Sequence, residues 1–399
     1  MPAPRHLLAV ACLASLVLPT APPIHAATAD ASNSGTPVLA SHTSGEVVPF
    51  VLPDGAGGAF VSLKRDVASG TPQRLVARVN ADAVRDASWN AANVASNDVA
   101  DPIRAMKLVA APAGSVWCVA DLGAGNAASD LLHRVGAAGP TPSDALFSPL
   151  SFFTFFDVLP RTGGGARVYA RTFDGVGQAL YVGLANATGG GSASTIPVGV
   201  VTTGNLSIGG GDRVLAIGTS DGGAIVTLQL PNVGGGSTAA DLIAIRVDAN
   251  GVPVWTPAAR VVSNAIRDQF EVVGVSDGAD GVILAWRDKR NTSTGDDLYA
   301  LRLTAAGTVA AGWTANGKAV AQVIGAQNSA VAASDGVGGM WLAWVDGRSG
   351  TNDIEYTHLL GSGALAAGFT PNGDLLCGVG GRQTGVQLVS DAQGGAFAV

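Results

Sequence analysis

The chain has 399 residues, of which 47% are apolar and 13% charged, with 55 glycines and a formal net charge of −7. That apolar content excludes an intrinsically disordered chain, and the acidic balance disfavours a nucleic-acid-binding surface, which needs clustered Lys and Arg. Glycine at about twice the usual usage and charge at about half of it point to an all-β protein with many turns.

Residues 1–29 read as a secretory signal: Arg5 and His6 precede the apolar run Leu7–Leu18, then Pro19, Pro22 and Pro23 break it, and Ala27-Thr28-Ala29 fits a small-residue cleavage site. The run has 12 residues, too short to span a bilayer, and no later segment reads as a membrane span. Cleavage there leaves 22 basic and 30 acidic residues, a net charge of −8. It also leaves Cys118 and Cys377; export permits a disulfide, but their spacing gives it no support, and buried free thiols are expected.

Along the rest of the chain one pattern returns. In the first unit Asp54-Gly55-Ala56-Gly57-Gly58 precedes an apolar strand to Leu63, a second strand covers Leu75–Val79, and Trp89 closes the unit. Two degenerate units follow, with hairpin turns near residues 110 and 165; Val116-Trp117-Cys118-Val119 is the strand after the first of these, and Phe152–Phe156 is an aromatic run before the second. The pattern then sharpens: Ser220-Asp221-Gly222-Gly223, Ser276-Asp277-Gly278, Ser334-Asp335-Gly336 and Ser390-Asp391-Ala392 place aspartates 56, 58 and 56 residues apart, with Asp54 lying 167 residues before Asp221. Asp bonds back onto its own turn and Gly supplies positive φ, so each copy reads as a hairpin turn.

Before the Asp335 turn Ala330–Ala333 reads as a first strand, and after each clear turn comes a strand, Val282–Trp286 or Met340–Val345, that is apolar on consecutive residues, as expected when both faces of a sheet are covered. A polar loop opened by Asp288-Lys289-Arg290 or Asp346-Gly347-Arg348 leads to a third strand, and a fourth is expected near Ala364–Gly368. Trp255, Trp313 and Phe369 mark the closing elements, while Trp286 and Trp344 read, like Trp117 and Trp89, as packing aromatics.

Four short strands in a unit of about 56 residues predict a β-propeller of four-stranded antiparallel blades, forming one domain over 30–399. Six complete units and a seventh hairpin are legible. Asn33–Leu39 resembles the close of a unit, so seven blades are preferred and six remain the alternative; the domain then reads as truncated at its C-terminal end.

The pattern Ser-Asp-Gly-x-Gly-Gly followed by Trp-x-Asp-x-Arg, as in Ser334–Gly339 with Trp344, Asp346 and Arg348, resembles a group of secreted bacterial repeat proteins read as β-propellers. The resemblance covers about residues 35–399 and implies a fold and export without a defined activity. The turns are also distantly similar to the sialidase-type Asp-box, with altered spacing. That box is a turn remote from catalysis, so no sialidase residues carry over.

Chemistry is sparse. Gly218-Thr219-Ser220-Asp221-Gly222 matches a nucleophile elbow but lies between two strands where that motif needs a helix. Leu159–Gly163 matches a sortase signal, in mid-chain, by chance. The mature chain keeps His42, His133 and His358 in unrelated contexts, and no metal-ligand spacing occurs, so no metal and no cofactor are expected. Calcium at Asp277 with Asp280, or at Asp296 with Asp297, is the minor alternative.

Residues that recur in several units are usually architectural; those that do not recur are candidates for function. Arg287, Asp288, Arg290, Asp346 and Arg348 form a polar rim that either binds ligand or holds the loop, and Phe153 and Phe155 offer an aromatic surface. The expected protein is a monomeric, secreted or cell-surface binding module for a glycan or protein ligand. A carbohydrate-active propeller enzyme and a structural spacer are the alternatives.

Overall fold

In a computed structural model of the chain, the described residues are 50–54, 59–65, 73–79, 92–95, 105–111, 114–121, 131–136, 139–140, 156–173, 178–187, 191–197, 214–231, 240–378, 381–383, 385–391 and 394–398. The predicted signal segment, Asn33–Leu39, Trp89, Phe153 and Phe155 lie outside them. Among the described residues there is no α-helix, and so none long and apolar enough to cross a membrane.

Two compact units are present. The first, within Leu18–Ile196, carries three antiparallel sheets: β1 (Phe50–Pro53), β2 (Ala59–Arg65), β3 (Gln73–Val79) and β4 (Ala92–Ala95); β5 (Ala105–Ala111), β6 (Ser115–Asp121), β7 (Leu131–Gly136) and β8 (Gly139–Pro140); β9 (Phe156–Arg161), β10 (Gly165–Phe173), β11 (Gln178–Ala185) and β12 (Gly191–Pro197). The hairpin turns expected near 110 and 165 join β5 to β6 and β9 to β10.

The second unit, within Pro197–Val399, holds β13 (Val214–Gly218), β14 (Ala224–Pro231), β15 (Ala240–Val247) and β16 (Ala259–Ser263); β17 (Gln269–Ser276), β18 (Val282–Asp288), β19 (Asp297–Leu303) and β20 (Lys318–Ala321); β21 (Gln327–Ser334), β22 (Met340–Asp346), β23 (Asp353–Leu359) and β24 (Asp374–Cys377); and the pair β25 (Leu388–Ser390) and β26 (Ala396–Ala398). Every four-stranded sheet is ordered as its strands occur in the chain. These are the blades of a β-propeller, the fold class that the repeat predicts.

Alternating side chains of the second strands β18 and β22 enter two different cores. Val282, Leu284 and Trp286 of β18 pack with Ile225, Leu242 and Trp255 of the preceding sheet. Ile283 and Ala285 pack the other way, with Met340, Leu342 and Trp344 of the following sheet. Trp341, Ala343 and Val345 of β22 then meet the β25–β26 pair through Leu388, Val386 and Ala396. The consecutive apolar run is therefore two alternating sets, each with its own neighbour. In the first unit Val109 and Trp117 pack in the same way against Val158, Ala166 and Val168.

Three expectations need correction. The fourth strand is β24, not Ala364–Gly368, and it follows Phe369–Gly373 rather than preceding it. Leu359 and Leu365 meet only as an isolated bridge across a tight turn, and Asn372 and Gly373, at φ 68° and 88°, then turn the chain into β24. The first strand is longer than Ala330–Ala333: β21 starts at Gln327 and absorbs a bulge between Asn328 and Val331. Cys377 is half-buried rather than buried. Cys118 is buried as expected, 1% exposed.

Trp344 is fully buried between two sheets, so Trp344→Ala should cost about 3–5 kcal/mol of unfolding free energy, read from urea denaturation followed by circular dichroism.

Candidate functional site

The antiparallel register gives each sheet two ends. Asp277 and Asp335 turn the chain at one end, between first and second strands. At the other lie the connection from the fourth strand to the next sheet and the loop between second and third strands, because Gln269 pairs with Asp288 and Asp288 with Asp297.

The hairpin end is repeated architecture. Asp277 Oδ1 accepts from the backbone N–H of Ala279 (2.8 Å) and Gly281 (2.7 Å), and Asp335 Oδ1 from Val337 (2.9 Å) and Gly339 (2.7 Å). Asp221 and Asp391 make the corresponding bonds to Gly223 and Gly395. A Cβ at Gly281 or Gly339 would collide with the aspartate and with a third-strand carbonyl, so glycine is required there.

A third-strand basic side chain, unnoticed in the sequence, braces four of these turns. Arg78 holds Asp54 at 2.7 Å, Arg246 holds Asp221 at 3.0 Å, Arg302 holds Asp277 at 2.9 Å and His358 holds Asp335 at 2.9 Å. Ser220 sits in the β13–β14 hairpin with its hydroxyl bonded to Asp280 at 2.7 Å, so the elbow-like motif is a turn. The aspartates named for calcium are engaged too: Asp280 by Ser220, Asp277 by Arg302 and its own turn, Asp296 by Arg287, and Asp297 by Thr294.

At the loop end, the Trp-x-Asp-x-Arg segments form clamps. Trp286 Nε1 donates to Asp288 Oδ2 (2.9 Å), and Arg290 donates to the same carboxylate through Nε (2.9 Å) and Nη2 (2.6 Å). Arg290 Nη2 also reaches Asn316 O at 2.6 Å. Trp344, Asp346, Arg348 and Asn372 repeat this geometry. Asp288 and Asp346 are fully buried, so among the rim candidates they serve the loop from within. The two arginines, 19% and 29% exposed, tie the second-strand carboxylate to the connection before the fourth strand, with Arg290 stacked 3.8 Å over the Tyr299 ring.

Arg287 belongs to a different cluster, which the next sheet does not repeat. Its Nη1 donates to Glu271 Oε1 at 3.0 Å and its Nε to Asp296 Oδ2 at 2.7 Å, with Nη2 on the same oxygen. Its guanidinium lies 4.5 Å from the Phe270 ring centroid and the Lys289 ammonium 4.9 Å from it; Lys289 also faces Asp268 at 3.7 Å. A bulge in β17 places Glu271 at φ 54°, and its second oxygen accepts from Ser329 N of the next sheet at 3.4 Å.

The bulge itself recurs, with Ser329 at φ 53°. The side chains do not: in-register positions of the next sheet carry Asn328, Ser329, Val345 and Asn352 where this one has Phe270, Glu271, Arg287 and Asp296. Of this cluster Arg287 stood out beforehand as a binding residue and Asp296 as a calcium alternative. Aligning the repeats and scoring charged positions that fail to recur would have found the rest. Repeated Gln269, Gln327 and Gln383, also missed, hold the preceding connections by donating to their carbonyls, Arg267 O at 2.8 Å, Gly325 O at 2.7 Å and Gly381 O at 3.0 Å.

Two environments shift the carboxylates. Burial opposes ionisation of Asp346, but bonds from Arg348 and Trp344 outweigh it and its pKa is lowered. Asp335 is lowered in the same way, burial being outweighed by His358 and two backbone N–H groups. Burial dominates at Asp297 and Glu355 and raises both. These two are 0% and 6% exposed, beneath the surface a substrate would touch.

No family model and no curated protein matches this chain. Solved structures similar to it include an ulvan lyase (9% identity, 78% of this chain and 80% of that one, TM-score 0.47). Others are the β-propeller domain of the trilobed protease of Pyrococcus furiosus, described as having an open velcro topology (10%, 82% and 84%, 0.42), and a Hadza microbial sialidase (12%, 87% and 61%, 0.40).

Asp346→Asn should destabilise the protein by about 3–5 kcal/mol at neutral pH, because Arg348 loses its buried counter-charge. The stabilisation from Asp346 is complete above the unfolded carboxylate pKa of about 4 and is lost as pH falls through its lower folded value. Urea denaturation from pH 7 to 2 should therefore show a shallower acid limb in the variant than in the parent.

Proposed function

We propose that the chain is an exported, non-catalytic binding module, and that the loop end of the β17–β20 sheet is its ligand face, taking a hydroxyl-rich glycan. The observation that carries this reading is the Arg287–Glu271–Asp296 network. It is partly exposed, it interrupts the repeat, and neither the hairpin turns nor the Trp-Asp-Arg clamps need it. With Lys289 and Asp268 the patch carries two cations and three carboxylates, so its charge nearly cancels while donors and acceptors lie side by side. Sugar hydroxyls, which both donate and accept, suit such a surface better than a strongly charged ligand does. Ile266 and Ile324, 72% and 77% exposed on the connections before β17 and β21, add apolar contact for the C–H faces of pyranose rings.

Binding is favoured over hydrolysis because the two partly exposed carboxylates share one guanidinium, which holds them as acceptors. A glycosidase needs a carboxylic acid free to deliver a proton. The raised carboxyls Asp297 and Glu355 are buried out of reach.

The test is an array of neutral and uronic-acid oligosaccharides probed with the chain lacking residues 1–29. The parent should bind, and Arg287→Ala and Ile266→Ser should each weaken binding about tenfold, the loss of roughly 1.4 kcal/mol, with Ile266→Ser keeping the parental melting temperature. Absence of any bound glycan, or unchanged binding in both variants, would overturn the assignment. Export is tested separately: residues 1–29 fused to a periplasmic reporter should carry it across the membrane and be cleaved near Ala29.

A further inference from the structure

A cavity of about 240 Å³ lies between the β17–β20 and β21–β24 sheets, lined by Trp313, Lys318, Val320, Leu359, Leu365 and Asn372. Its walls are apolar: Val320, Leu359 and Trp313 are at most 9% exposed and belong to the core shared by the two sheets. Its polar groups are few. Lys318 Nζ donates to Gly363 O at 2.7 Å, and among the described residues no carboxylate pairs with it. Asn372 Oδ1 accepts from Gln322 N at 2.9 Å, which leaves its amide NH2 to donate.

The preceding pair of sheets treats the corresponding position differently. Arg260 pairs with Ala244 as Lys318 pairs with Ala300, so the two residues are in register. The Arg260 guanidinium lies 5.7 Å from the Trp255 ring centroid and donates to Thr256 O at 3.1 Å and to Pro257 O. Gly307 of the following sheet closes against Trp255 and Arg260, and Gly363 closes against Trp313 in the same way. At Arg260 the protein lays its own planar cation over the tryptophan. At Lys318 the cation is shorter and reaches across to Gly363, and the cavity lies beside Lys318 and Trp313.

We infer that this cavity is a second ligand site, distinct from the loop-end patch, and that it takes a small aromatic carboxylate. The flat ring packs among Trp313, Val320 and Leu365, where offset or edge contacts with the indole are favourable. The carboxylate lies on the Lys318 ammonium, a charge-assisted bond that a neutral analogue cannot make, with the Asn372 amide as second donor. The volume admits a single substituted ring, since an apolar cavity of about 150 Å³ already holds benzene.

The experiment uses the chain lacking residues 1–29 and titrates sodium benzoate at constant ionic strength, with benzyl alcohol as the uncharged comparison, read by saturation-transfer NMR and calorimetry. Benzoate should bind saturably and at least about tenfold more tightly than benzyl alcohol. Lys318→Met should abolish that preference while leaving weak binding of both. Lys318→Arg, which installs the residue that the preceding sheet carries, should keep the fold and lose both ligands because the guanidinium covers the tryptophan. Non-saturable benzoate binding, equal affinity for benzyl alcohol, or unchanged binding in a folded Lys318→Arg protein would overturn the assignment.

Discussion

The structure depends on covering both faces of every sheet at once. A second strand such as β18 sends Val282, Leu284 and Trp286 to one neighbour and Ile283 and Ala285 to the other. No single sheet can satisfy this alone, since either face would expose a continuous apolar surface. The low charge content follows: middle strands have no solvent face on which to place it. Polar groups gather at the strand ends, and there they are nearly all spoken for by repeated bonds, the aspartate turns at one end and the tryptophan–aspartate–arginine clamps at the other.

That assignment of polar groups separates scaffold from candidate function. Asp288 and Arg290 look like a ligand-binding rim in sequence, yet the carboxylate is buried and accepts from an indole and a guanidinium at once. The same atoms do the same work at Asp346 and Arg348. Among the described residues, two places stand apart from such bonds: the Arg287 network with its flanking isoleucines, and the Lys318 cavity. Both occur at in-register positions where successive sheets carry different side chains.

Legibility in the sequence followed the range of the interactions. The aspartate turns were legible because Asp277 and Gly281 bond across four residues, and the second strands because a continuous apolar run is local. The Asp277–Arg302 and Asp335–His358 pairs span 25 and 23 residues, and nothing in a linear reading couples those positions. The fourth strand was misplaced because Leu365 continues an apolar pattern that the backbone uses only for a single bridge to Leu359. Glu271 was invisible for a third reason: its aim is set by a bulge, and a bulge breaks the alternation from which side-chain direction is read.

The tryptophans show what the repeat keeps constant. Trp255 and Trp313, from the connections between third and fourth strands, donate Nε1 to Ala305 O and Gly361 O of the following sheet, both at 2.9 Å. At the equivalent place the last complete sheet has Phe369, which has no N–H to give. There the bond comes instead from Trp341 in the second strand, to Gly394 O at 3.0 Å. Trp117, in the same register position of β6, reaches Gly164 O at 2.9 Å in the first unit. The donor thus moves between two places in the sheet, while the acceptor stays a turn carbonyl of the next one. The repeat preserves a contact between neighbours rather than a residue at a position. Degenerate units such as the one around Trp117 can therefore lose most of the motif and still pack as their neighbours do.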